Sequence, residues 1–174
     1  MMRKLLVVVG CVFVAASSLA GEVAGNTFIG KRNGSIEVVS PGGKWELRDT
    51  EAEGPTAIVS LKLKEAIQGS HPGCAVTSMP GMVASVEMSE LADLLRKNMV
   101  DAGMGLGLLE TRRLGGKSVQ AFSTLMVKNA ASAKGETFLL RGEKDYFVVN
   151  CSASSAAYEA ARPLFAEVVG NMKY

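Results

Sequence analysis

The stretch on which the fold turns is Lys144-Asp145-Tyr146-Phe147-Val148-Val149-Asn150-Cys151. Successive side chains of a strand point to opposite faces. As a strand, the segment puts Tyr146 and Val148 on one face and Phe147, Val149 and Cys151 on the other. A strand with one wet face alternates apolar with polar residues, whereas one that is apolar on both faces is covered on both. The segment therefore predicts a central strand between two layers. Glu136 to Arg141, just upstream, reads as its hairpin partner across a short turn containing Gly142.

The pattern extends outward in both directions. Leu108 to Leu114 and Lys117 to Val127 flank Gly115-Gly116, a two-residue turn able to supply positive φ. Before them, Leu91, Leu94, Leu95, Met99 and Ala102 recur at helical spacing. Ser89 is the expected N-cap of that helix, Glu90 and Asp93 sit in its first turn, and Gly103 is placed to end it. Ser35 to Val39, Lys44 to Arg48, Thr56 to Leu63 and Cys74 to Thr77 read as further strands, and Glu65 to Gly73 follows neither period. A helical segment is expected from about Ser155, broken or restarted at Pro163, with Leu164, Phe165, Val168 and Met172 as its apolar stripe. The expected class is α/β of the α+β type: a mainly antiparallel sheet sandwiched between helices. Residues 21–34, rich in glycine and asparagine, read as a flexible lead-in, and residues 35–174 as a single domain.

The first twenty residues read as a cleavable export signal. Met1-Met2-Arg3-Lys4 is a basic start, Leu5 to Ala16 is apolar, and Ser18-Leu19-Ala20 is a small-x-small site with cleavage expected after Ala20. A spanning helix needs about 20 apolar residues, and this run is interrupted by Gly10, Ser17 and Ser18. Val8-Val9-Gly10-Cys11 has a lipobox look, but only Leu5 to Gly10 precede Cys11, too short an apolar region for lipid attachment there. The expected location is periplasmic or secreted, with no transmembrane segment in the mature chain.

Removing the signal changes the chemistry. Arg3 and Lys4 account for the whole formal charge of +2, so the mature chain is neutral and nucleic acid is not an expected partner. Lys31-Arg32, Arg96-Lys97 and Arg112-Arg113 read as solvated surface pairs. Three cysteines become two, Cys74 and Cys151. In an oxidising compartment they form either one disulfide or two buried thiols.

The order of elements resembles the PsbP-like superfamily, which includes the extrinsic PsbP proteins of photosystem II, a Ran-binding protein of the same fold and exported bacterial proteins of the DcrB type. The resemblance rests on Val38-Val39-Ser40-Pro41-Gly42-Gly43-Lys44-Trp45 and the helix Ser89 to Ala102. It continues through the strand, turn and strand from Glu110 to Ala121, and ends on Tyr158, Pro163 and Phe165. It covers about residues 35–174. The chain departs from the pattern in Gly42-Gly43-Lys44 between proline and tryptophan, and in Asn171-Met172 where relatives often carry serine and phenylalanine. The resemblance implies an α/β/α sandwich that is usually non-enzymatic and acts by contact with other proteins. It transfers no site residue, and no cofactor is expected from the sequence.

Candidate chemistry is sparse. Gly103-Met104-Gly105-Leu106-Gly107 lacks the third glycine and the preceding strand of a dinucleotide fingerprint, so it reads as a connection. His71 is the only histidine, and no Gly-x-Ser-x-Gly elbow accompanies it. His71, Cys74, Met79, Met82 and Met88 combine imidazole, thiolate and thioether, a set suited to Cu(I), although methionines also fill irregular gaps in cores. Asp49, Glu51 and Glu53 crowd one expected surface loop. The leading expectation is an exported, non-catalytic accessory domain that binds an unidentified protein at the cell envelope. The alternatives are a Cu(I) or small-ligand carrier using His71 to Met88, and an exported hydrolase with His71 turned inward.

Overall fold

In a computed structural model of the protein, residues 21–31, 35–128 and 131–174 are described, and they form two antiparallel sheets. The smaller contains β1 (Glu22–Ala24), β2 (Thr27–Ile29) and β3 (Glu37–Val39). The larger contains β4 (Trp45–Asp49), β5 (Ala57–Leu63), β6 (Gly73–Met79), β7 (Gly105–Leu106), β8 (Glu110–Leu114), β9 (Lys117–Lys128), β10 (Ala131–Arg141) and β11 (Tyr146–Ser154). Its order is β4-β5-β6-β11-β10-β9-β7, and β8 also pairs with β9. The helices are α1 (Met88–Asp101) and α2 (Tyr158–Gly170).

β11 lies inside the sheet, between β6 and β10. Tyr146 and Val148 pack with Leu91 and Ala92 of α1 and with Phe122 and Leu139. Phe147, Val149 and Cys151 pack with Ala161, Phe165 and Val168 of α2. The two-faced apolar pattern thus places the central strand, and the α/β/α architecture follows from it.

The two helical layers are unequal. α2 buries Tyr158, Ala161, Phe165, Val168 and Val169, and Phe165 meets the fully buried Trp45 at a ring-centroid distance of 6.4 Å. Burying a large apolar side chain contributes about 1.5–3 kcal/mol. That stripe carries the helix straight through Pro163, which corrects the expected break there: one backbone bond is lost, and the packing offsets it. α1 buries only Leu91 and Ala92, while Leu94, expected in its stripe, faces solvent. Its start is capped by Glu87 rather than Ser89, with the Glu87 amide donating to Glu90 Oε2 at 3.4 Å. At its end Gly103, with φ of 83°, donates to the Val100 carbonyl and Met104 to the Met99 carbonyl, a Schellman arrangement.

The lead-in expectation is also corrected. Val23 pairs with Phe28 across the β1–β2 hairpin, and Phe28 is fully buried. β3 ties this small sheet to the C-terminal end, because Glu37 and Lys173 exchange backbone hydrogen bonds of 2.8 and 2.9 Å. Three-residue strands are too short to show a period, so the sequence hid them. The Gly115-Gly116 turn forms as expected, both residues at positive φ. A Cβ on Gly115 would run into the Gly170 carbonyl, so the turn packs tightly on the end of α2.

Residues 1–20, including the export segment and Cys11, lie outside the described residues. No helix among the described residues is long and apolar enough to cross a membrane.

Cys74 and Cys151 sit at paired positions of β6 and β11, with their sulfurs at the bonding distance of 2.03 Å. The bond spans 77 residues, and loop-closure entropy gives such a cross-link about 4 kcal/mol of stabilisation. Chain exported to its native compartment is expected to show no alkylatable thiol at Cys74 or Cys151 before reduction and two after it, with a lower urea midpoint once reduced. Two freely alkylated thiols in unreduced protein would contradict the bond.

Candidate functional site

The site grows from one carboxylate in an apolar position. Along β10, Glu136, Phe138 and Leu140 alternate onto the face covered by α2, and all three are buried. A carboxylate in that position needs partners, and two come from different elements. Arg112 of β8 donates through Nη1 to Glu136 Oε1 at 2.7 Å, and Arg162 of α2 donates through Nε to the same oxygen at 3.1 Å. Glu136 Oε2 has no hydrogen-bond partner among the described residues. The Glu136 side chain is 0% exposed, against 22% for Arg112 and 48% for Arg162. Burial works against the charge of Arg112, but hydrogen bonds and charge from Glu136 and then Glu110 outweigh it and hold its pKa above the ordinary value.

This triad stands beside an open cleft of about 450 Å³. Ser123 and Thr124 of β9 and Lys134 of β10 line it, with Gly105 to Leu108 on one side and Tyr158 and Arg162 on the other. The 105–108 wall is held in place. Gly107 donates to the Ser123 carbonyl at 2.9 Å and accepts from Arg96 Nη1 at 2.9 Å, while the Arg96 guanidinium lies 5.1 Å from the Phe122 ring centroid. Lys134 Nζ lies 5.8 Å from the centre of the Tyr158 ring. Among the described residues neither Lys134 nor the two terminal nitrogens of Arg162 has an acidic partner. Burial, reinforced by the negative charge of Glu136, raises the Tyr158 pKa above the ordinary tyrosine value. Arg112, Arg162 and Lys134 against Glu110 and Glu136 leave the cleft with about one positive charge in excess.

The residues singled out from sequence lie elsewhere and are not brought together. His71 is exposed, and its Nδ1 donates to the Leu63 carbonyl at 2.8 Å. It is not turned inward, as a hydrolase using it would require. Cys74 is committed to Cys151 and cannot ligate copper. Met79 is five residues farther along β6, about 17 Å at strand rise. Met79, Met82 and Met88 pack against the cluster of Leu91 and Tyr146, as gap-filling methionines. No group of three or more His, Cys, Asp or Glu gathers at a metal-binding distance among the described residues. Two surface readings are corrected: Arg112 is partly buried and ion-paired to Glu136, and Glu51 is fully buried, its Oε1 accepting from the Lys31 amide at 3.2 Å.

Glu136, Lys134, Tyr158 and Arg162 were missed in the sequence. The available signal was Glu136 itself, two and four residues before the inward-facing Phe138 and Leu140 in the same strand. The partners that answer it are distant in sequence and give no local pattern.

Truncating the two arginines separates their roles. Arg112→Ala leaves the buried carboxylate with one half-exposed partner and is expected to cost about 3 kcal/mol in urea unfolding. Arg162→Ala removes the more solvated partner and is expected to cost less than about 1 kcal/mol. Equal losses, or a larger loss at Arg162, would contradict Arg112 as the principal counter-ion.

No protein-family description matches the sequence, and no curated protein matches it. Solved structures do match its shape. The solution structure of cyanobacterial PsbP (CyanoP) from Synechocystis sp. PCC 6803 superposes at a TM-score of 0.58 and 12% identity, over 91% of this chain and 95% of that one. The protein of unknown function PA94 from Pseudomonas aeruginosa superposes at 0.51 and 7% identity, over 78% and 87%. LpqN of Mycobacterium tuberculosis, described as involved in cell envelope biogenesis, superposes at 0.48 and 14% identity, over 80% and 82%. With the antiparallel sheet and its two covering helices, the likeness to CyanoP identifies the fold: this chain has the PsbP-like α+β fold.

Proposed function

We propose that this chain is an exported accessory domain that acts at the cell envelope by contact with another protein and carries out no catalysis of its own. The observation that carries the reading is the surface around the cleft. Leu108 is 81% exposed and Val127 67% exposed, and Leu125, on the same face of β9 as Val127, is also exposed. Large apolar side chains beside Lys134 and the outer nitrogens of Arg162 mark a surface suited to a protein partner. The export signal read in residues 1–20 supports the compartment, and the PsbP-like fold is in keeping with an accessory role. The carrier and hydrolase alternatives both need His71 to converge with further ligands or a nucleophile; its anchoring to Leu63 supports neither.

The test is site-specific photocrosslinking in the source organism. A benzoylphenylalanine at Leu108 or at Val127 is expected to give the same protein adduct, absent when the probe replaces Lys62, an exposed β5 residue four strands from β9 in the sheet order. No adduct from either position, or equal adducts from all three, would contradict the assignment of this face.

A further inference from the structure

We propose that the cleft between the 105–108 wall and α2 receives a single carboxylate, presented by a glutamate or aspartate side chain of the partner protein. The inference rests on the protein-contact reading above and adds the chemistry of what is recognised. Four features of the cleft select that group.

The first is donor geometry. Arg162 spends only Nε on Glu136, at 3.1 Å, so its two terminal nitrogens remain to grip an anion. A guanidinium presents donors in a fixed fork, and the planar carboxylate matches it. The second is preorganisation. Glu136 is fully buried and holds Arg162 from behind while Arg112 holds Glu136 from the β8 side, so little side-chain freedom is lost when a ligand arrives. Glu136 Oε2 is buried without a hydrogen-bond partner among the described residues, an arrangement that stability alone does not favour.

The third is charge. Three cations and two carboxylates border the site, and an excess of about one positive charge is matched by one carboxylate. A phosphate monoester dianion would leave an excess of the opposite sign. The fourth is the surrounding chemistry. Ser123, Thr124 and Tyr158, each bearing a hydroxyl, are among the lining residues, and Leu108 and Leu125 add apolar surface. An acidic side chain flanked by apolar neighbours fits that layout better than a free small anion.

The experiment is a titration of 15N-labelled mature protein, following the Arg162 Nε–H and the Ser123 and Thr124 amides by NMR. The probes are acetyl-Leu-Glu-Leu-amide, acetyl-Leu-Gln-Leu-amide, acetate and inorganic phosphate. The glutamate peptide is expected to give saturable shifts at these groups, at least tenfold tighter than the glutamine peptide, acetate or phosphate. Lys134→Gln removes a cation that has no ion pair among the described residues, so the fold is unaffected, and it is expected to weaken the glutamate peptide at least threefold. Arg162→Gln is expected to abolish its saturable shifts. Equal binding of the glutamine peptide, tighter binding of phosphate or acetate, or no saturable shift at millimolar glutamate peptide would overturn the proposal. Crosslinks from Leu108 and Val127 without carboxylate selectivity would overturn the ligand assignment alone. Selectivity without any crosslink would leave the carboxylate specificity of the cleft standing and overturn the partner as its source.

Discussion

A single buried carboxylate oxygen joins the parts of this molecule that matter for its function. Glu136 Oε1 accepts from Arg112 on β8 and from Arg162 on α2, so one atom ties an outer strand, an inner strand and the covering helix. Ion pairs of this kind seldom add stability over an apolar filling of the same volume, because desolvating the charges offsets their attraction. What they do is fix positions. Here the fixed object is the Arg162 guanidinium, set at the edge of an open cleft with its outer nitrogens unspent. The fold supplies the frame for that arrangement. β11, covered by α1 on one face and α2 on the other, holds β10 in register. A Cβ on Gly135 would meet the Cys151 carbonyl and the Thr124 hydroxyl, so the strands leave no room for a side chain at the position directly before Glu136.

The asymmetry of the two layers bears on the same point. The α2 layer is deep and aromatic, with Trp45, Phe138, Phe147 and Phe165 buried together. The α1 layer is thin, and partly buried methionines fill its gaps. The cleft opens on the well-packed side, where α2 begins and β9 and β10 run on past it. A binding side chain mounted on rigid elements keeps its geometry, and this placement provides that.

Much of the architecture was legible in the residues. The two-faced apolar run of β11, the Gly115-Gly116 turn and the stop at Gly103 each have a local physical signature, and each forms where its signature says. Elements governed by distant contacts were not legible. The β1–β2 hairpin is too short for a period and is held by the burial of Phe28 and by the tie between Glu37 and Lys173. Pro163 reads as a break by its own chemistry, and the buried stripe from Tyr158 to Val169 overrides it. The site was harder still. His71 and the methionines attracted attention because they are neighbours in sequence, yet a strand carries Cys74 and Met79 far apart. Tyr158 and Arg162 stand one turn apart on α2, but Lys134 and Arg112 are distant from them in sequence and meet them only through the sheet register and the helix above it.

The central claim is that the Glu136 triad exists to present Arg162 rather than to hold the fold together. The most direct test replaces it whole, as Arg112→Met, Glu136→Leu and Arg162→Met in one chain, and measures both urea unfolding and NMR titration with the glutamate peptide. The account predicts cooperative unfolding at or above the wild-type midpoint, together with complete loss of saturable peptide shifts. A folded triple variant that still binds the peptide, or one that no longer unfolds cooperatively, would contradict it.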